Sequence, residues 1–194
     1  LTKATATHIG SLSTTAISAL TEDQVGAFST AQIARFTADQ IGALTSTEIQ
    51  NFTTTQVNAL TSTLLASLTT TALGLFSSDQ IGALTTGQVQ GLSTTQLNAL
   101  PADTLDALDI SKASTAQIAG LTTTAISQLT ADQVDAFSTT QITRLSADQI
   151  GTLTSTEVQG FTTTQTNALT STQISSLTTT ALGDRKSTRL NSSH

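Results

Sequence analysis

Apolar residues recur along this chain at alternating intervals of three and five, and polar residues fill the gaps so regularly that an eight-residue unit can be read directly: [Ser/Thr]-x-x-[Gln/Glu]-[Ile/Val]-x-small-[Leu/Phe]. The unit runs in one register from Thr5 to Leu108, thirteen octads, and again from Ser114 to Leu177, eight more. In these 21 octads the eighth position is always Leu or Phe, and all six Phe of the chain fall there. The fifth is Ile, Val or Leu in 20, with Thr166 the exception, and the first is Ser or Thr in 20, with Pro101 the exception. The fourth is Gln or Glu in 15.

One local device accounts for all four positions. A hydroxyl followed three residues later by Gln or Glu is a capping box, in which the hydroxyl accepts from the third helical N–H and the longer side chain returns to the N–H of the cap. The Leu or Phe before the cap and the Ile or Val four residues into the helix form a hydrophobic staple. Charge supports the polarity, because acids favour helix N-termini and bases C-termini. Nine of the eleven acids inside octads (Glu22, Asp23, Asp39, Glu48, Asp79, Asp103, Asp132, Asp148, Glu157) occupy positions two to four, leaving Asp106 and Asp135, while Arg35 and Arg144 are at position seven. Pro101 at a cap removes an N–H that no intrahelical bond needs.

The pattern therefore predicts an all-α solenoid of short capped helices, one per octad. A continuous helix would carry the apolar pair about 80° further round its axis with each octad, so no stripe would form. A β-solenoid would want alternation with period two. One octad buries too little to fold alone, since an Ile and a Leu contribute about 3–6 kcal/mol against about 8–16 kcal/mol for ordering eight backbones. Stability is expected to be collective and nearest-neighbour.

A second period overlies the first. Laying Ser13 on Thr122 aligns 13–74 with 122–183 and gives 47 identities in 62; the offset equals thirteen octads plus the insert 109–113 (Asp-Ile-Ser-Lys-Ala). The expected organisation is a first superunit over 1–108, with octads from 5, a hinge at 109–113 and a truncated second superunit over 114–183. Residues 184–194, DRKSTRLNSSH, break the octad and resemble the conceptual translation of a common short-read sequencing adapter, so they are set apart as a non-native tail. The chain opens on Leu1 inside the repeat and reads as a piece of a longer one.

Composition narrows the chemistry. Cys, Met, Trp and Tyr are absent, which excludes disulfides and thiolate metal sites. Without the tail there remain four basic and twelve acidic side chains, a net of about −8, a poor match for nucleic-acid backbones or anionic membranes. No apolar run reaches membrane-spanning length, and neither nucleic-acid binding nor membrane insertion is expected. His8, the only histidine outside the tail, stands at a Gln position and reads as a substituted capping residue. Glu22-Asp23 could meet a calcium ion but lacks a Gly-bearing binding loop, and a solvated, dipole-matched first turn explains it better. Asn51-Phe52-Thr53 spells a glycosylation sequon around an apolar position. The Gly at position six (Gly26, Gly42, Gly82, Gly151) form no phosphate-cradling loop and read as packing positions. Arg35 and Arg144 are related by duplication. No catalytic, cofactor-binding or metal residues are expected, and the chain is not expected to be an enzyme.

At the level of the octad and its recurrence, the chain resembles the Thr/Gln-rich tandem-repeat regions of very large bacterial secreted or cell-surface proteins, the adhesin-like class. That resemblance implies a stalk, spacer or matrix role outside the cell, with neighbouring repeats of the parent chain as the partners. The alternative is a solenoid that binds protein or glycan on one face, or ice through its Thr arrays.

Overall fold

A computed structural model describes residues 5–177; residues 1–4 and 178–194, the adapter-like tail included, lie outside the described part. Each octad opens with its hydroxyl residue in extended backbone and turns at once into a helix of four to six residues. The first unit contains α1 (Ala6–Gly10), α2 (Thr14–Ser18), α3 (Glu22–Gly26), α4 (Thr30–Ile33), α5 (Ala38–Gly42), α6 (Ser46–Gln50), α7 (Thr54–Asn58), α8 (Ser62–Ser67), α9 (Thr70–Leu73), α10 (Ser78–Gly82), α11 (Thr86–Gly91), α12 (Thr94–Asn98) and α13 (Ala102–Ala107). The second contains α14 (Thr115–Ala119), α15 (Thr123–Ser127), α16 (Ala131–Asp135), α17 (Thr139–Ile142), α18 (Ala147–Gly151), α19 (Ser155–Gly160), α20 (Thr163–Ala168) and α21 (Ser171–Ser176). The described residues contain no strand. The chain is an all-helical, solenoid-like array, as the octad predicts.

The caps lie where the sequence places them. The N-cap side chain accepts from the third helical N–H in 20 of the 21 helices, Pro101 alone lacking a side chain to do so, and the reciprocal bond of the capping box closes in 16. Those 16 are all the Gln and Glu octads plus His8, whose ring Nδ1 accepts from the Thr5 N–H. In every octad the N–H of position five donates to the carbonyl of position one, and the N–H of position eight donates to the carbonyl of position five. The second bond tightens the last turn and ends the helix. Positions eight and one are then extended, for example Leu68 (φ −66°, ψ 143°) before Thr69 (φ −65°, ψ 157°). Two extended residues make each corner, and no residue there needs positive φ.

Three helices complete one circuit, because each helix packs on the one three octads before it. In the first unit α1, α4, α7, α10 and α13 stack in one column, α2, α5, α8 and α11 in a second, and α3, α6 and α12 belong to a third, in which α12 packs on α9. In the second unit α14, α17 and α20 stack, as do α15, α18 and α21, and α16 with α19. Positions five and eight form the core inside: the Ile, Val and Leu of position five are almost all fully buried, and so are Phe28, Phe36, Phe52, Phe76, Phe137 and Phe161 at position eight. Phe28, Phe52 and Phe76 follow α3, α6 and α9, one column, at intervals of three octads. Phe36 makes edge-on ring contacts with Phe28 at 5.2 Å and Phe52 at 6.5 Å between centroids. Ile174 departs from the rule at 43% exposed; it belongs to α21, the last described helix, which no described helix covers.

Contacts divide the chain into two compact units, Leu1–Leu108 and Asp109–His194. The insert forms a 3₁₀ turn, Ile110–Lys112, that buries Ile110 and is closed by Ala113. Its Asp109 accepts from the Ser111 hydroxyl at 2.6 Å and pairs with Lys112 at 3.5 Å.

Candidate functional site: a glutamine ladder between circuits

The fourth position does more than cap. Its Gln side chains, exposed Gln24 apart, are buried, Gln40 and Gln80 to 2% exposure, and a buried primary amide needs partners for both its oxygen and its nitrogen. The oxygen accepts from the cap N–H of its own octad, at 2.9 Å for both Thr37 to Gln40 and Ser77 to Gln80. The nitrogen points down the solenoid and donates to the circuit beneath. Gln40 reaches the carbonyls of Ile9 and Leu12, Gln80 those of Ile49 and Phe52, Gln88 those of Val57 and Leu60, and Gln96 those of Leu65 and Leu68, all at 2.7–3.0 Å. Gln56 donates to Gly26 and Phe28. The second unit repeats this through Gln141 to Ala113, Gln149 to Leu121, Gln165 to Phe137 and Gln173 to Leu145.

The ladder completes the backbone accounting at the corner. The position-eight carbonyl follows the helix end and has no intrahelical donor, and it is what the Gln nitrogen meets three and a half octads later. Each such Gln thus satisfies a cap donor in its own octad and a corner acceptor in the previous circuit, and only one orientation of its amide matches donor to acceptor at both ends. Among the described residues no buried side-chain nitrogen or oxygen lacks a partner.

The exceptions show what the ladder requires. Glu48 and Glu157 close their capping boxes, Glu48 at 2.7 Å from the Thr45 nitrogen and Glu157 at 2.6 Å from that of Thr154. As carboxylates they have no N–H to send downward. The corner carbonyls in the equivalent places beneath them, on Leu20 and Leu129, receive no donor among the described residues. Leu64 and Ala72 fill fourth positions with apolar groups.

The residues singled out by sequence do not converge on one another. His8 is an exposed cap residue of α1, Glu22 and Asp23 face solvent in the first turn of α3, and Arg35 and Arg144 are exposed beyond α4 and α17. Asn51 is the exposed C-cap of α6, and Phe52 beside it is buried. Among the described residues no group of three or more His, Cys, Asp or Glu is arranged to hold a metal ion, and no helix is long and apolar enough to cross a membrane. The position-six glycines divide by environment. A Cβ on Gly82 would meet the Ala107 carbonyl oxygen at 2.9 Å and one on Gly10 that of Arg35 at 3.0 Å, whereas Gly26 and Gly42 face open space. Close approach between circuits therefore explains Gly10 and Gly82 and not the other two.

Two carboxyls are perturbed. Asp109 is held below the usual carboxylate value by its Ser111 hydrogen bond and by Lys112, against some burial. Asp135 is raised by burial, and further by the nearby charges of Asp132 and Glu157. It lies against Gly160, where a Cβ would require the Asp135 carboxylate to swing aside.

No curated protein and no solved structure matches this chain. A family model described as the ALTTAQ repeat matches residues 25–54 and 65–94. Residues 83–88, Ala-Leu-Thr-Thr-Gly-Gln, spell those six letters with one exchange. They run through the buried Leu84, the cap Thr85 and the ladder residue Gln88, so over the matched stretches the chain is similar to the ALTTAQ repeat, and these six residues form a corner of the solenoid.

Proposed function

We propose that this chain is a structural segment, a stalk, spacer or matrix region, of a large bacterial extracellular or cell-surface protein. The observation that carries the reading is the ladder. The amide nitrogens of the repeating Gln are spent on bonds between one circuit and the next, so a position that defines the repeat serves to transmit contact along the array. The solvent-facing third position, where a ligand would be met, changes freely among Thr, Asp, Ala and Gly. Placement outside the cell rests on the resemblance of the Thr/Gln-rich octad to the repeat regions of large bacterial surface proteins.

A spacer is defined by the number of its circuits. Because the chain has no cysteine, Thr15→Cys and Thr95→Cys place two dyes on exposed positions of the first unit. Deleting residues 45–68, one whole circuit of three octads, should bring the dyes closer by about 10 Å, the usual interaxial distance of packed helices, while the remaining helices keep their circular dichroism. Exchanging exposed third-position Thr for Ser should leave adhesion by the parent protein unchanged. A specific glycan or protein ligand lost on changing one column's exposed residues would refute the spacer and establish a binding solenoid.

A further inference from the structure

The ladder is not uniform, and we propose that the junction at which the circuit α7–α9 rests on α4–α6 is a built-in yield point that opens before the junction above it. The proposal concerns the order of opening and stands whether or not the chain is a spacer. At the next junction, α10–α12 on α7–α9, all three fourth positions are Gln and each donates to two carbonyls below. Of the three fourth positions that rest on α4–α6 only Gln56 does so, and Gln80 from α10 adds its two bonds to Ile49 and Phe52 of the octad of α6. The other two are Leu64 and Ala72, and the corner carbonyls beneath them, on Phe36 and Leu44, receive no donor among the described residues. A further bond across it, from Gln50 to the Leu75 carbonyl, is exposed and long at 3.4 Å.

The duplication supplies the comparison. The residue equivalent to Leu64 in the second unit is Gln173, which donates to Ile142 and Leu145, the equivalents of Ile33 and Phe36. The same corner therefore accepts a Gln, and the first unit lacks it. Leu64 returns part of the difference as apolar burial, since it is 7% exposed, but a Gln buries its own two methylenes in the same place. Ala72 brings neither a long apolar side chain nor a donor. In an array held by nearest-neighbour interfaces, of two successive junctions the one with fewer bonds separates at the lower free energy.

Native-state hydrogen exchange on the full chain, read by segment, tests this along one column: α5 below the junction, α8 above it and α11 one circuit further. In the unmodified protein α5 and α8 should exchange together, and faster than α11. Leu64→Gln should slow exchange about tenfold in α8 and equally in α5, because each restored hydrogen bond contributes at the junction they share. Gln88→Leu should bring α11 up to the exchange rate of α8. If α8 of the unmodified chain is as protected as α11, the proposal is overturned, whatever the variants do. It is also overturned if Leu64→Gln slows α8 alone, which would mean a local helix effect without a junction.

Discussion

Gln88→Glu separates the two jobs of the fourth position. The substitution keeps the shape and the capping acceptor, which in Gln88 lies 2.9 Å from the Thr85 nitrogen. It replaces the amide nitrogen, now 2.9 Å from the Val57 oxygen and 2.7 Å from the Leu60 oxygen, with a carboxylate oxygen. Two donated bonds are lost, at about 0.5–1.5 kcal/mol each, and the corner carbonyl of Leu60 is left without a donor beside a like partial charge. For a side chain this deeply buried the total should be about 2–4 kcal/mol. The control is Gln24→Glu, because Gln24 makes the same capping box but is exposed and its amide nitrogen has no partner among the described residues. That change should stay within about 0.5 kcal/mol, as surface substitutions do. Urea unfolding followed by helical circular dichroism, with the midpoints compared between the two variants, reads the difference directly. Equal costs at the two sites would refute the ladder, and would reduce position four to the capping role seen in the sequence.

Three further outcomes follow from the geometry. Thr37→Ala should cost about 1 kcal/mol, since the Thr37 hydroxyl accepts from the Gln40 N–H at 3.2 Å, whereas Thr55→Ala at an exposed third position should change the urea midpoint little. Gly26→Ala should stabilise by about 0.5–1 kcal/mol through helix propensity, and Gly82→Ala should destabilise because its Cβ meets the Ala107 oxygen; thermal melts of the two give opposite signs. The raised Asp135 carboxyl destabilises the fold in its charged form, fully so above its folded value, and ceases to do so below the ordinary value of 3.8. Asp135→Asn should therefore raise the urea midpoint at neutral pH, and its advantage should shrink as the pH falls through that interval.

The element type and its polarity were legible because they rest on contacts within a single turn of helix. Thr45, Glu48 and Ile49 declare a cap, its reciprocal partner and the first buried residue without reference to anything distant. The ladder was not read, because the partners of Gln88 lie more than three octads away and the number of octads per circuit was open. Two signals of it were present. A capping box takes Glu as readily as Gln, yet Gln fills 13 of these 15 fourth positions, a bias that asks for a donor as well as an acceptor. Phe28, Phe52 and Phe76, like Phe137 and Phe161, are spaced by three octads, and so mark one column of a three-sided array.

Packing between circuits also explains how the two superunits differ. Position six of one octad approaches position seven three octads later, as Gly10 approaches Arg35 and Gly82 approaches Ala107. In the first unit the positions that match by sequence are Gly26, which faces open space, and Asn51, and their equivalents in the second are Asp135 and Gly160. The longer side chain has changed sides, and in the second unit the Asp135 carboxylate lies where a Cβ at 160 would be built. A side chain at 160 therefore requires that carboxylate to swing aside. Positions six and seven are thus coupled to different degrees along the array: at Gly160 through a carboxylate that can turn away, and at Gly82 through the Ala107 backbone oxygen, which cannot.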